Sequence, residues 1–573
     1  MAAAVILCLM ASLFSDKLQE VYGNNAVTMK YESKLFSTDQ IMDIDILMDE
    51  DDWNNMLENA ISEEYYSCNV VVNGKTFYSV GIRPKGNTSL SSIANDPDTD
   101  RYSFKLEFDH YIEGQTCYGL DKLILNNNYA DATNMKEAIV YDMYQYLGVD
   151  ASLYNYAKIS VNGDYRGVYL ALEAVEDSFM LRNYGTEDGN LYKPENMGVG
   201  GGMDGKDGDG WQMGEKPDGE DFPQKGEMPD GADFPQKGEM PDGADFPQKD
   251  EMPYGEDFPQ MGEAPNGEAA DIKMGIMGGN GGSDLNYTDD DLDSYSTIWD
   301  GEITDTDKKD HKRVVEALKN ISEGTDLETY MDVDNILKYM AVHTFVVNDD
   351  SLSGTMAHNY YLYEYNGKLN ILPWDYNLSF GGMSMGGKMG GQSLGATSVI
   401  NDAIDMPFSI TDFFDALLEN EEYLEQYHGY LNELVEKYVN GGEFEKTYER
   451  IRSQIDDLVG NDPTAFYSYE EYEEAANMLI EVVQLRAKSV SGQLAGTIPS
   501  TDEGQQQDSS NLIDGSDIDL SVMGSFSGGG GGNEGQGKDN GFAGTPQPFD
   551  AGDVSPISEE KADLQDSNQD SVK

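Results

Sequence analysis

A twelve-residue repeat interrupts the chain and divides it into segments of different composition. Its copies read "EKPDGEDFPQKG", "EMPDGADFPQKG", "EMPDGADFPQKD" and "EMPYGEDFPQMG", followed by a fading "EAPNGE". Pro, Gly and Asp at this density cannot bury a core, and the repeat unit has no periodic apolar face. The pattern therefore predicts a disordered insertion over residues 197–286, either a neutral expansion of a tolerant loop or a tether for cations or partners.

The segment before the insertion combines strand patterns with one helix. Asn-Gly pairs at 73–74 and 162–163 each separate two strand-like runs, which predicts two-residue hairpins. Between them, apolar residues recur at every fourth position: Met135, Ile139, Met143 and Leu147. This spacing predicts an amphipathic helix that ends at Gly148. Residues 40–196 are therefore expected to form an antiparallel sheet that carries a helix.

Helical patterns dominate residues 287–498, and one hairpin interrupts them. Residues 499–573 are acidic and rich in Gly, Ser and Gln, which predicts a disordered tail. At the other end, residues 1–15 contain the apolar run "MAAAVILCLMASLF", whose length suits a signal-peptide core or an anchor. No other apolar stretch of the sequence approaches membrane-spanning length, so no further transmembrane span is expected.

The charge of the chain argues against one class of partner. The 573 residues include 37 Lys and Arg against 107 Asp and Glu, which gives a formal net charge of −70. Such a charge repels phosphate backbones, so nucleic acid is not expected as a partner. It favours cations and basic proteins instead.

The hairpin "NYYLYEYNGKLNILPWDYN", residues 359–377, carries an amide at one end and an acid at the other. Its central Asn-Gly turn sets a register in which Asn359 lies opposite Trp374, with Asp375 just beyond. A carboxylate and an amide oxygen brought together suit a hard cation such as Mg²⁺. The alternative is a surface hairpin whose ends happen to be polar. Glu364 lies near the turn and away from this site, so its replacement by Ala is expected to leave the metal-dependent activity nearly unchanged.

An acid precedes the hairpin in a short loop, because Asp350 of "VVNDDSLSGTMAHN" lies nine positions before Asn359. Protein kinases present their catalytic base, metal-binding Asn and metal-binding Asp in this order. The spacing here is looser, and neither His-Arg-Asp nor Asp-Phe-Gly occurs at these positions. Each acid alone is typical of a solvated loop, but the ordered set predicts a catalytic and metal-binding site.

Several motifs resemble the CotH family of spore-coat and cell-surface proteins: "GIRPKGNTSL", "YSFKLEFD", "VNGDYRGVYLALE", "GNLYKPE", "HNYYLYEYNGKLNILPWDYNLSFGG" and "LRAKSVSGQL". The resemblance covers roughly residues 40–195 and 287–495. It implies an α+β, two-lobed protein-kinase-like fold, with a sheet-rich N-lobe at 40–196 and a helical C-lobe at 287–498. It also implies an atypical Ser/Thr protein kinase that uses ATP and Mg²⁺ or Mn²⁺.

The same resemblance implies roles for the residues of the hairpin region. Asp350 corresponds to the catalytic aspartate, and Asp375 of "PWDYN" corresponds to a metal ligand. Asn359 is expected to be the second metal ligand, by the hairpin argument. The implied substrates are Ser residues of coat or surface proteins, and the net charge predicts that these Ser residues lie in Lys- and Arg-rich segments. The expected location is extracellular, at the cell surface or in a spore coat.

Nucleotide contacts are implied in the sheet-rich segment as well. "RPKGNTSL" is similar to a phosphate loop, although a simple turn explains its single glycine about as well; the residues expected to face phosphate are Lys85, Gly86 and Asn87. Lys105 in "YSFKLEFD" has the placement of a phosphate-pairing lysine, and an ordinary exposed sheet lysine is the alternative. Glu137 is its candidate ion-pair partner. "YLALE", which ends at Glu173, is expected to connect the lobes and offer backbone groups to adenine.

A second class of function stays open. A non-catalytic surface or adhesion module could retain the same fold and use the insertion and the tail as interaction segments. The joint presence of Asp350, Asn359, Asp375 and Lys105 favours the enzyme, because a binding module has no need for all four residues.

Overall fold

A computed structural model describes residues 26–195, 281–354, 356–383, 395–405, 408 and 410–526 of the protein. These residues form a sheet-rich half and a helical half within one compact unit. The mixed α+β class expected from the sequence is therefore confirmed. In this part of the chain, none of the helices combines the length and the apolarity that a membrane crossing requires.

Two sheets contain the strands of the described residues. The strands are β1 Met42–Leu47, β2 Tyr66–Val72, β3 Lys75–Lys85, β4 Ser103–Glu107, β5 Lys122–Asn126, β6 Tyr154–Val161, β7 Asp164–Glu173, β8 Asn190–Tyr192, β9 Tyr360–Tyr365 and β10 Lys368–Pro373. Seven of them close on themselves in the order β1-β2-β3-β4-β5-β7-β6, and the other three follow the order β10-β9-β8. β1 and β6 run parallel, whereas the other neighbouring pairs are antiparallel. Apolar side chains such as Ile44, Val70, Ile82 and Leu106 fill the interior of the closed sheet.

The Asn-Gly hairpins are confirmed at all three expected positions. Their first ladder pairs are Val72↔Lys75, Val161↔Asp164 and Tyr365↔Lys368, as a two-residue loop requires. In each turn both central residues have positive φ, for example 54° at Asn366 and 84° at Gly367. Asn and Gly tolerate this conformation better than other residues, so the dipeptide determines both the turn and the register.

The helices lie mainly after the insertion. They are α1 Lys30–Lys34, α2 Glu50–Glu58, α3 Thr88–Ala94, α4 Lys136–Leu147, α5 Asp177–Tyr184, α6 Ser296–Asp300, α7 Lys308–Ser322, α8 Leu327–Tyr330, α9 Val333–Val346, α10 Ala396–Ile400, α11 Asp415–Leu418, α12 Glu421–Glu433, α13 Glu443–Val459, α14 Tyr469–Leu494 and α15 Asp502–Gln507. α12 continues as a π-helical stretch over Leu434–Val439. The principal core of this half packs α9, α12, α13 and α14 together with the β9–β10 hairpin.

The helix α4 connects the two halves. Its expected end is confirmed, because Gly148 caps it in the left-handed conformation with φ of 73°. The expected one-sided packing is not found: Ile139 and Met143 are buried, and so are Ala138, Val140 and Tyr141 on the other faces. A helix buried on all sides lies between two packed layers, so α4 is in contact with both the sheet and the helical core.

Two expected boundaries are corrected by the structure. Residues 281–286, assigned to the insertion, belong to the folded helical half, since Tyr360 Oη donates to the Ser283 carbonyl and Leu285 is buried. Residues 499–526, assigned to the disordered tail, are folded too, and Met523 is fully buried. Their polar composition hid this packing, because only a few apolar side chains hold the segment. The predicted N-terminal segment 1–15, residues 197–280 of the predicted insertion and residues 527–573 of the predicted tail lie outside the described residues.

Candidate active site

The β9–β10 hairpin brings Asn359 and Asp375 to the same end. The ladder runs from Tyr365↔Lys368 to Pro373↔Tyr360, so the register expected from the turn is confirmed. Asn359 and Asp375 flank that end, with φ of 58° and 59°. Asn and Asp adopt this left-handed conformation more readily than other non-glycine residues, because their short side chains bond to nearby backbone.

Asp350 is held by two neighbours in the loop before the hairpin. His358 Nε2 lies 2.9 Å from Asp350 Oδ1, and Asn359 Nδ2 donates to Asp350 Oδ2 over 3.1 Å. The same amide nitrogen donates to the Asp350 carbonyl over 2.8 Å. Burial alone would lower the pKa of His358, but Asp350, Asp375 and Glu195 raise it above its usual value. The raised pKa favours the protonated form of His358, whose Nε2 then donates to Asp350 Oδ1.

Asp375 is half-buried and lies among charges from several elements. Burial raises the pKa of Asp375, and the negative charge of Asp350 raises it further. Lys85, Lys193 and His358 oppose this shift. The pKa of a carboxyl group responds in this way only to charges a few ångströms away, so the two aspartates and these cations share one site.

Lys85 and Glu137 belong to the sheet-rich half, and both side chains contact the side-chain amide of Asn126. Lys85 Nζ lies 3.4 Å from Asn126 Oδ1, and Asn126 Nδ2 donates to Glu137 Oε2 over 2.7 Å. The other carboxyl oxygen of Glu137 is buried and makes no hydrogen bond of ordinary geometry, although the Tyr376 backbone N–H lies near enough to lower the pKa of this carboxyl group. Burial raises the pKa of Glu137, and the charge of Asp375 raises it further. Lys85 Nζ also lies 5.4 Å from the centre of the Trp374 ring, on the hairpin of the helical half.

The donor set fits a divalent cation that keeps most of its ligands outside the protein. Burial and their mutual repulsion disfavour the charged forms of Glu137 and Asp375, and a bound cation would stabilise both as carboxylates. Asn359 donates through its amide nitrogen, so its oxygen is the atom that can meet a metal. Over the described ranges, no group of three or more His, Cys, Asp or Glu side chains could hold a metal ion. Mg²⁺ suits such a sparse set, because it retains waters and phosphate oxygens.

Lys105 does not pair with Glu137, contrary to the expectation from the sequence. Its ammonium lies 2.8 Å from Glu176 Oε1, and Lys122 pairs with the same glutamate. Lys85 is the lysine next to Glu137 instead. Arg83 lies opposite Lys105 in the β3–β4 ladder, so Lys85 stands two positions farther along the same face. Strand alternation places both lysines on this face, and sequence alone could not tell which one reaches the α4 side.

The expected connection between lobes at "YLALE" is wrong. Residues 170–172 of β7 pair with β5 on one side and with β6 on the other, so their backbone groups are already used within the closed sheet. Glu173 accepts bonds from Arg182 and Tyr31 and is fully buried. Its contacts hold the sheet-rich half together and leave no carboxylate oxygen for a nucleotide.

Gly86 and Asn87 follow Lys85 in a tight turn before α3. Gly86 has φ of 134°, and a Cβ atom added there would lie 2.9 Å from Ser89 Oγ, so the position requires glycine. Asn87 is exposed at the start of α3. This geometry suits a loop next to Lys85, and contact of both residues with phosphate stays a prediction.

The structure adds residues that the sequence reasoning missed. Lys193 Nζ lies 6.0 Å from the centre of the Trp374 ring, which Lys85 approaches as well, and it forms an ion pair with Glu195 over 2.6 Å. His358 and Asn126 also contact the predicted residues directly. Lys193 and His358 stand in the motifs "GNLYKPE" and "HNYYLYE", but nothing in their spacing reveals that they meet at one site.

Comparison with protein families gives one match. The family described as CotH kinase protein matches residues 82–249 and 263–490. The matched ranges contain each acidic and basic residue of the site named above. A comparison with curated proteins gives no match.

Proposed function

The chain belongs to the CotH kinase protein family, and from this premise we propose that it is an atypical Ser/Thr protein kinase. In this proposal the fold is two-lobed and kinase-like, with the sheet-rich half as N-lobe and the helical half as C-lobe. The enzyme transfers the γ-phosphate of ATP to Ser residues of coat or surface proteins, and it depends on Mg²⁺ or Mn²⁺. The family match and the charged site between the halves support this proposal.

The observation that carries the proposal is the meeting of charges from both halves. Lys85 and Glu137 come from the sheet-rich half, while Asp350 and Asp375 come from the helical half. Phosphoryl transfer needs cationic groups for the phosphates, a carboxylate for the acceptor hydroxyl and acids for a metal ion. A structural ion-pair network needs no unpartnered buried carboxyl oxygen, which Glu137 retains.

Each residue of the site has a distinct part in the proposed transfer. Lys85 and Lys193, whose ammonium groups both lie near the Trp374 ring, bind the phosphate chain. They stabilise the negative charge that develops on the leaving oxygen. Asn359 and Asp375 would hold a divalent cation, with Glu137 nearby. Such a cation would supply neutralisation and orientation of the phosphates.

Asp350 receives the acceptor hydroxyl in this proposal. His358 and Asn359 fix one carboxylate oxygen each, so the carboxylate has one orientation. It accepts the hydrogen bond of the Ser hydroxyl and takes its proton as the Ser oxygen bonds to the γ-phosphorus, while the bond from that phosphorus to the bridging oxygen breaks and ADP leaves.

The charge of the chain supports a basic substrate, and the family resemblance implies a surface location. At −70, the protein attracts Lys- and Arg-rich segments, so acceptor Ser residues are expected within them. The proposed location is extracellular, at the cell surface or in a spore coat, as the family resemblance implies.

The test is phosphorylation by the full-length chain. Purified protein is incubated with ATP and Mg²⁺ or Mn²⁺ and a Ser peptide flanked by Lys and Arg, and intact masses of protein and peptide are measured. Asp350→Asn and Asp375→Asn should each lose at least about 10²-fold in transfer, because each removes a charge on which the reaction depends. Asp349→Asn, a change of an exposed acid beside Asp350, is the matched control and should retain activity.

The alternative is a non-catalytic surface or adhesion module that retains the fold. Under this alternative, the wild-type chain transfers no phosphate to itself or to the peptide. Equal activity of Asp349→Asn and Asp350→Asn would instead remove Asp350 from the proposed mechanism.

A further inference from the structure

The segment after α14 returns along the molecule and ends beside the candidate active site. Asn401 fixes its course, because its side chain accepts from Ile513 N over 2.9 Å and donates to the Ile513 carbonyl over 2.8 Å. The segment then forms a short 3₁₀ turn over Leu520–Met523. We call Leu520–Phe526 the C-terminal strap. It lies after residue 490, where the family match ends.

The strap contacts the loop that leads into α4. Ala132 N donates to the Met523 carbonyl over 3.1 Å, and Lys136 Nζ lies 3.3 Å from the Gly524 carbonyl. Met523 is fully buried, and so is Lys136. Gly524 has φ of 82°, and an added Cβ would lie 2.5 Å from the Ala130 carbonyl oxygen. The strap therefore packs directly on the loop, with no room for a larger residue at this glycine.

The strap also contacts the segment that follows Asp375. Phe526 N donates to the Gly382 carbonyl over 3.0 Å, and Phe526 forms a parallel bridge with Met383. The Phe526 ring lies 6.3 Å from the ring of Tyr129. The Tyr129 carbonyl in turn accepts from Asn377 Nδ2 over 2.8 Å. One short stretch of chain thus binds the loop before α4 and the segment after the candidate metal ligand.

We propose that the C-terminal strap is a positioning element that fixes Glu137 and Asp375 relative to each other. Lys136, whose ammonium contacts the strap, is the residue next to Glu137, and the segment bound by Phe526 continues directly from Asp375. A displacement of either end of the strap would change the distance between the Glu137 and Asp375 carboxyl groups. The effect on catalysis rests on the proposed function, whereas the positioning itself does not.

The test uses two variants of glycines that both have positive φ and that differ in what an added Cβ would meet. Gly524→Ala places a methyl group against the Ala130 carbonyl, whereas Gly496→Ala, at φ of 68°, meets no atom within 4 Å. Amide hydrogen exchange of the full chain is measured in residues 128–147 and 376–383. We expect exchange in these ranges to become about tenfold faster in Gly524→Ala and to stay unchanged in Gly496→Ala. Equal exchange in the two variants would overturn the proposal.

A milder variant covers the case in which Gly524→Ala fails to fold. Phe526→Ala removes the ring contact with Tyr129 and leaves the backbone bonds, and a chain ending after Phe526 is its control. Faster exchange near Tyr129 and Asn377 in Phe526→Ala, with no change in the control, supports the strap; unchanged exchange in both contradicts it. Phosphoryl transfer is measured in parallel. If exchange is faster in Phe526→Ala but neither the wild type nor any variant transfers phosphate, the proposed function is rejected and the positioning role of the strap stands.

Discussion

Two lysines on neighbouring strands show opposite uses of the same residue type. Lys105 on β4 pairs with Glu176, which Lys122 also neutralises, so its charge is matched within the sheet-rich half. Lys85 on β3 meets Glu137 through Asn126 and reaches Trp374 of the helical half. The first arrangement is a local ion-pair network, and the second joins charges across the halves.

The two glutamates respond to these surroundings in opposite directions. Burial alone would raise the pKa of Glu176, but Lys105 and Lys122 outweigh it and hold the pKa below its usual value. Burial raises the pKa of Glu137, and Asp375 adds to the shift. A glutamate paired with lysines stabilises the fold. A buried carboxyl group with a raised pKa is typical of a functional site instead.

The largest expected effect separates the two lysines by activity. Lys85→Met should lower phosphoryl transfer by roughly 10²-fold or more, because it removes a cation from the proposed phosphate site. Lys105→Met should change transfer per folded molecule by less than about threefold, because its partner lies in the local network. Transfer to the basic Ser peptide is measured well below the melting temperature of each variant. A larger loss in Lys105→Met would reverse the assignment.

Stability should separate the two glutamates. Glu176→Gln is expected to lower the free energy of unfolding by about 1–3 kcal/mol at neutral pH, because it removes the carboxylate that Lys105 and Lys122 share and leaves Lys122 with Glu107. Glu137→Gln should raise it by about 1 kcal/mol, because Gln avoids the cost of protonating a carboxyl group whose pKa in the folded protein is raised to about 8. Urea unfolding of both variants and the wild type gives these values. Destabilisation of similar size in both variants would contradict the comparison.

The pH dependence of stability should differ between the same two sites. The folded pKa of Glu176 is lowered, so its contribution is present above the usual pKa of Glu and is lost as pH falls through the folded value. The folded pKa of Glu137 is raised, so stability falls as pH rises from the usual range towards that value. Melting curves from acid to mildly alkaline pH should show Glu176→Gln approaching wild type at low pH. The melting temperature of Glu137→Gln relative to wild type should increase as pH rises. If the melting temperatures of the variants and the wild type depend on pH in the same way, neither pKa shift is present.

A smaller effect is expected from divalent cations. Mg²⁺ or Mn²⁺ at ten times its dissociation constant should stabilise the fold by about 1.4 kcal/mol, because it binds only the folded site. The rise in melting temperature should vanish in Asp375→Asn and persist in Glu176→Gln, whose change lies in the local network. A rise retained in Asp375→Asn would place the cation elsewhere.

Local patterns of the sequence were sufficient for the elements that frame the site. The Asn-Gly turn of the β9–β10 hairpin determined its register, and with it the approach of Asn359 and Asp375. The fourfold apolar spacing and Gly148 predicted α4 and its end. These features depend on neighbours in the chain, which a single sequence displays.

Contacts between distant segments were beyond such patterns. The replacement of Glu364 by Ala was expected to have little effect. Glu364 is fully buried and accepts hydrogen bonds from Arg313 and Asn190, so this replacement should destabilise the fold. The pairing of Lys105 with Glu176 and the folding of the C-terminal strap are of the same kind. Each depends on which surface a polar residue meets, and polarity alone does not encode that surface.

The central claim is that Lys85, and not Lys105, faces the phosphates of ATP. An acyl-phosphate derivative of ATP transfers its acyl group to lysine amines that lie beside the bound phosphates, and mass spectrometry of digested full-length protein identifies the modified residues. The account predicts acylation of Lys85 or Lys193 that excess ATP with Mg²⁺ suppresses, and no ATP-sensitive acylation of Lys105. Acylation of Lys105 that ATP suppresses, with Lys85 and Lys193 unmodified, would contradict it.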